Sequence, residues 1–379
     1  MIANKSDKDV QVQMMQASNI LKSQNKRIGY FDLLKTISIF LVIYVHYPWI
    51  STSKGSNLTM IMTIIAVPLF FMINGALLLG KRNFNIKEHY KKLMWIIVGT
   101  ISWKILILSI CMITKRIDIS NFSITEVFNY LFTAKNLLDV PAEHFWFMYA
   151  LIRIYIIYPF IRLAFEKNNK YLKYILLYSF IFSFGIELLN MVFFTFSGKG
   201  IMDKFSGIAS TFNPINDLTY VTYFILGYIL HNKFYDEQNT LEFKKIVLPI
   251  IVYLLGLILV LVARYVQVGT LLDGAYQPIH SDYTKIGDLI MTCAIFILFS
   301  KIHVKENRFI NFIGSRTINI YYIHMILVAY SETYLLPLFN SWTGAKLNFI
   351  RTIVILIISI IITEVMRKIK PLKKILYLS

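Results

Sequence analysis

Ten runs of mostly apolar residues, each about as long as the roughly 20 residues that cross a bilayer, constrain this chain more than anything else in it. They lie at 28–50, 58–80, 94–114, 144–161, 174–196, 216–231, 246–266, 283–300, 317–338 and 347–366. In hydrocarbon every backbone N–H and C=O must find its partner within the segment, so such runs read as helices rather than open sheet. Composition agrees with that reading. Charged residues make up only 16% and hydrophobic residues 56%, whereas a soluble domain is about a quarter charged. The expected fold is an all-α integral membrane protein of about ten transmembrane helices.

A formal charge of +18 invites a nucleic-acid reading, but the charge does not gather in one soluble domain. It alternates by side. The loop after the second run holds Lys81, Arg82, Lys87, Lys91 and Lys92, while the loop after the first holds only Lys54. Of the 39 lysines and arginines, 26 fall on one set of alternating flanks and 7 on the other. Cytoplasmic loops collect Lys and Arg, so the amino and carboxyl termini are expected in the cytoplasm. The basic balance then reports topology and contact with anionic lipid headgroups, and leaves no role for nucleic acid.

Three units follow along the chain. Residues 1–26 form a polar cytoplasmic tail without the apolar core of a secretory signal. Residues 27–370 form the membrane domain, and 371–379 a basic cytoplasmic end. Cys111 and Cys293 sit inside apolar runs and provide neither a disulfide framework nor metal-ligand spacing. No metal and no permanently bound cofactor is expected.

Ionisable groups inside a span are costly, and they are usually paired or functional. The first run carries the densest set, Asp32, Lys35 and His46. Lys35 lies one turn from Asp32, and His46 follows eleven residues after Lys35. On a helix that offset is about 16 Å along the axis and nearly the same direction around it. The three therefore share one stripe, suited to a polar cavity inside a bundle. Snorkelling of Asp32 and Lys35 to the headgroups is the bland alternative. Glu143, His144, Trp146, Arg153 and Tyr155 cluster at the start of the fourth run, and His324 sits in the ninth. A neutral imidazole can take a proton from a hydroxyl, and a buried cation can stabilise charge developing on a carbonyl oxygen. That chemistry suits acyl transfer. It equally suits proton-coupled transport, as in a polysaccharide exporter.

Four segments in order resemble the membrane acyltransferase-3 family. Arg27-Ile28-Gly29-Tyr30-Phe31-Asp32-Leu33-Leu34-Lys35, running on to His46, is similar to its opening signature, in which a basic residue precedes a His by eleven positions. Pro68-Leu69-Phe70-Phe71-Met72-Ile73-Asn74-Gly75 resembles a second segment, with Asn74 where Ser is usual. His144-Phe145-Trp146-Phe147, then Tyr155 and Pro159, resembles a third, and Ser315 through His324 a fourth. The resemblance implies transfer of an acyl group, usually acetyl, from acyl-coenzyme A to a hydroxyl of a cell-surface or lipid-linked glycan. It implies a multi-pass protein of the plasma membrane, in a bacterium, with His46 essential and Lys35 in support. Asp32 would orient partners. His144, Glu143, Trp146, Arg153, Tyr155, His324 and Asn74 would face substrate, and Lys91, Lys92 and Arg82 would meet the donor.

Overall fold

Side chains that cap helices punctuate the chain. Asn85 Oδ1 accepts from the N–H groups of Lys87 and Glu88 at 2.9 and 3.2 Å, which satisfies donors that a helix start leaves unpaired. Asn168 and Asn307 do the same for later helices. Ser123 and Glu126 form a reciprocal capping box.

The computed structural model describes residues 27–46, 54–118, 120, 122–197, 217–235, 243–268, 283–302, 304, 307–334 and 344–378. The helices are α1 (Gly29–Val45), α2 (Lys54–Met62), α3 (Ala66–Leu79), α4 (Ile86–Ile113), α5 (Ile124–Phe132), α6 (Trp146–Lys167), α7 (Asn169–Phe180), α8 (Ile186–Ser197) and α9 (Leu218–Phe234). They continue as α10 (Phe243–Val268), α11 (Ile286–Ser300), α12 (Arg308–Gly314), α13 (Thr317–Tyr334), α14 (Gly344–Lys368) and α15 (Lys370–Ile375). A 3₁₀ turn joins α2 to α3, another opens α6, and a π-helical turn at Ile181–Gly185 joins α7 to α8. Among the described residues there is no strand, only an isolated bridge between Leu137 and Val140.

Each of the ten predicted runs contains a helix. Among the described residues six stretches are long and apolar enough to cross a membrane: Asn57–Leu79, Ile86–Ile113, Glu143–Lys167, Lys170–Phe193, Lys245–Val266 and Ala345–Lys368. The other four, α1, α9, α11 and α13, are shorter or more polar, and many of their side chains are buried among neighbours. A helix wrapped by other helices does not need a full coat of apolar residues. The predicted tail, 1–26, lies outside the described residues. The expected basic end, 371–379, is described as far as residue 378 and begins against α4. Leu376 and Leu378 are buried, and Trp103 Nε1 of α4 donates to the Leu376 carbonyl at 3.1 Å.

Two glycine-mediated crossings hold the bundle. A Cβ at Gly75 of α3 would lie 1.7 Å from the Phe224 carbonyl oxygen of α9, and one at Gly227 would lie 2.0 Å from that of Met72. The backbones of α3 and α9 therefore touch, as small residues permit between membrane helices. Gly256 of α10 and Gly287 of α11 make a similar contact. Helix α1 runs through the middle, against α3, α11, α12, α13 and α14. Tyr30 Oη meets His231 Nδ1 of α9 at 2.7 Å near its start, and Asn348 of α14 donates to the Tyr44 carbonyl at 3.0 Å near its end. This central position puts the Asp32–His46 stripe inside the bundle.

Candidate active site

At the first end of α1, charge is paired. Asp32, almost fully buried, receives Arg27 Nε, and Lys35 Nζ stands 3.5 Å from its other oxygen. Gly314, closing α12, packs so tightly on Asp32 that a Cβ there would lie 2.8 Å from its Cβ. Arg316 pairs with Glu364, which also accepts from Arg367 at 2.9 Å. Arg162 is buried and holds the α3–α4 loop through the Leu79 carbonyl at 2.8 Å, while its Nε pairs with Glu166 at 2.6 Å.

At the other end of α1, three histidines meet. His46 caps the helix, and its ring centroid lies 5.2 Å from that of His324 on α13. His144, in the 3₁₀ turn before α6, lies 5.2 Å from His324 on the other side, edge to face. The Tyr321 hydroxyl donates to the His144 carbonyl and so ties α13 to that turn. His324 Nδ1 stands 2.6 Å from the Tyr321 carbonyl. A carbonyl oxygen can only accept, so Nδ1 carries the proton and Nε2 presents a lone pair in the neutral ring. That Nε2, and both ring nitrogens of His144, have no hydrogen-bond partner among the described residues although both rings are buried. Buried polar atoms are normally satisfied, and exceptions collect where a ligand binds.

Lys104 of α4 stands behind this cluster. Its ammonium donates to the Thr133 carbonyl at 2.5 Å and faces the rings of Tyr130 at 4.5 Å, Phe145 at 5.1 Å and Tyr149 at 5.6 Å. Cation–π contact keeps a buried ammonium tolerable in that cage. Beside the cluster runs an aromatic wall. Phe147 meets Tyr321 at 5.1 Å, and Trp146 lies 5.7 Å from Tyr283 and 5.6 Å from Tyr220.

The expected site residues thus separate into groups. His46, His144 and His324 converge, with Trp146 on the neighbouring wall. Arg153 is held by the buried Asp217 through two bonds, one of them 2.9 Å. Glu143 is exposed, and its N–H donates to Asn136 Oδ1 at 2.8 Å. Asp32 does not approach His46: fourteen residues of helix, about 20 Å, intervene, and its carboxylate is occupied by Arg27 and Lys35. Asn74 and Tyr155 bond each other at 3.1 Å. Tyr155 also gives its carbonyl to His89 at 2.8 Å, and Lys92 reaches its ring at 5.6 Å, which places this pair toward the Lys35 end. Lys91 and Arg82 are exposed, and the Arg82 carbonyl accepts from Arg162 at 3.4 Å. Sequence reasoning gave no catalytic or binding role to Lys104, Tyr321 or Asp217. Lys104 carried a signal as a charge in mid-span, whereas Asp217, at the edge of a loop, carried none.

Groups of His, Cys, Asp or Glu able to hold a metal are absent among the described residues. A family model described as an acyltransferase domain matches residues 28–365. No curated protein and no solved structure gives a match.

Proposed function

The chain belongs to the acyltransferase-3 family of membrane acyltransferases, and from that premise we propose that it moves an acyl group, acetyl in the first instance, from acyl-coenzyme A to a hydroxyl of a cell-surface or lipid-linked glycan. The observation that carries this reading is the meeting of His46, His144 and His324 at one end of α1, opposite the basic end that holds Lys35. In this reading the protein makes ten crossings of the plasma membrane with both termini inside. The donor comes from the Lys35 side and the acceptor from the His46 side.

His46 acts as general base. It takes the hydroxyl proton as the sugar oxygen attacks the acyl carbonyl. The new C–O ester bond forms, the C–S thioester bond breaks, and the coenzyme leaves as a thiolate that regains a proton from the His46 imidazolium. His324 is the orienting partner. With Nδ1–H committed to the Tyr321 carbonyl, its Nε2 accepts an N–H from His46, directly or through a water, and leaves the other His46 nitrogen basic. This is the logic of a base held in one tautomer by a third group. His144 faces the acceptor, and the Trp146 wall offers flat aromatic faces on which the apolar side of a sugar ring packs.

Mass analysis of surface glycans tests the reading, using a deletion strain complemented with the wild-type chain or with His46→Ala. An acyl mass restored only by the wild type is expected. Unchanged glycan acylation in the deletion strain, with export of the glycan lost instead, would assign the protein to transport and overturn the proposal.

A further inference from the structure

The carboxyl-terminal segment folds back on α4 and borders an open cleft of about 420 Å³ lined by Trp95, Lys370, Lys373, Lys374, Tyr377 and Leu378. The fold builds this cleft deliberately. Gly99 lets the segment lie directly on α4, since a Cβ there would be 2.9 Å from Tyr377 Cβ. Trp103 then locks it through the Leu376 carbonyl. The three lysines make no ion pair with a carboxylate among the described residues, in contrast to Arg316, just before α13, and Arg367 of α14, which both pair with Glu364. One of them, Lys374, reaches to 5.6 Å over the Trp95 ring. Three ammonium groups without a carboxylate partner among the described residues, set around an aromatic ring, describe the counterpart of an anionic ligand that also carries a flat ring.

We propose that this cleft binds the phosphorylated nucleotide end of the acyl donor, with Lys370, Lys373 and Lys374 on its phosphates and Trp95 and Tyr377 against its base. The inference rests on the acyl-coenzyme A reading above. A lipid headgroup shares the phosphate chemistry, but it has no ring for Trp95 and Tyr377 to cover. The volume also suits a small-molecule site, which typically occupies about 300–1,000 Å³. The cleft lies on the Lys35 side of the molecule. Lys92, one turn before Trp95 on α4, acts electrostatically on both Tyr377 and Lys35. The donor's long arm therefore has a basic path from the cleft to Lys35 in the second turn of α1, and from there along the stripe toward His46.

Calorimetric titration of coenzyme A into the full-length chain in zwitterionic nanodiscs tests this. Wild type and His46→Ala should bind alike. Lys373→Gln with Lys374→Gln, and the harsher Lys373→Glu with Lys374→Glu, should raise Kd at least tenfold while melting temperature and monodispersity stay unchanged. Adenosine 3′,5′-bisphosphate should compete, and coenzyme A should quench the fluorescence of Trp95, an effect lost in Trp95→Phe. Equal coenzyme A binding by wild type and both lysine variants overturns the cleft assignment. So does an effect of those variants confined to nanodiscs containing phosphatidylglycerol, which would make the cleft a lipid site. A wild-type chain that binds no coenzyme A at all fails at the donor reading itself, a result distinct from either.

Discussion

The two ends of α1 treat buried polar groups in opposite ways. At the Asp32 end the carboxylate is closed by Arg27 and Lys35, and neighbouring arginines close on Glu166 and Glu364. At the His46 end three ring nitrogens of His144 and His324 lie buried without a hydrogen bond of normal geometry among the described residues. A satisfied ion pair positions helices and offers little to a substrate. An unsatisfied buried nitrogen costs about 1–3 kcal/mol, a cost that persists where the group has work to do when a ligand arrives. One end of the helix is therefore closed by ion pairs, and the other, the end that the proposed mechanism uses, leaves ring nitrogens open.

The largest expected effect breaks this comparison outright if it fails. His46→Ala removes the proposed base and should lower turnover roughly 10²- to 10⁴-fold, with the melting temperature in detergent nearly unchanged. Single-turnover acyl transfer by purified protein measures it. A variant that folds and keeps full turnover would show that the unpaired end is not the catalytic one.

His324→Gln comes next and sharpens the distinction between base and orienter. The amide keeps the bulk near Tyr321 but cannot titrate. Misplacing a base by about an ångström costs on the order of 10²-fold, so the loss should be smaller than for His46→Ala. The profile of turnover against pH should also change shape. A merely structural role would reduce the yield of folded protein and leave the profile of the remainder unaltered.

Asp32→Ala probes the other end, and its effect belongs to stability. Removing one partner of a fully buried pair costs about 3–5 kcal/mol. Arg27 is 44% exposed, so solvent takes up part of the freed charge and about 2 kcal/mol is the reasonable figure. Thermal unfolding in detergent should show the loss. Turnover per folded molecule should fall far less than in His46→Ala. A turnover loss as deep as that of His46→Ala, without destabilisation, would place Asp32 in the catalytic set.

Much of this contrast is legible in sequence, and the part that is not has a physical reason. The stripe of Asp32, Lys35 and His46 follows from helical period within one segment, and α1 carries Asp32 and Lys35 and ends at His46. What the period cannot supply is a partner on another helix. His144 and His324 stand out individually as histidines in apolar surroundings, but their meeting with His46 depends on how α1, α6 and α13 pack. The same is true of Asp217 against Arg153. The pairing of Asp32 with Arg27 falls outside the one-turn spacing that joins it to Lys35, so spacing alone groups Asp32 with His46 instead. Helix α5 is short and amphipathic and lies in a loop between runs, so a search for long apolar segments passes over it. The folding back of the basic end onto α4 depends on Gly99 and Trp103, which mark no motif of their own.

The smallest expected effect tests whether proximity in sequence to His144 is enough to share its role. Glu143 stands next to His144, yet its side chain is exposed and its N–H is bonded to Asn136 Oδ1. That hydrogen bond uses the backbone, so it survives any change of side chain. Glu143→Gln keeps the shape and removes only the charge. Surface changes of this kind alter stability by no more than about 0.5 kcal/mol, and turnover and KM for the acceptor should stay within about twofold on the same scale. A tenfold rise in acceptor KM would instead carry the reactive end of the molecule outward, from the three buried rings to the carboxylate at the mouth. The contrast between the two ends of α1 would then lie between a closed ion pair and an open one.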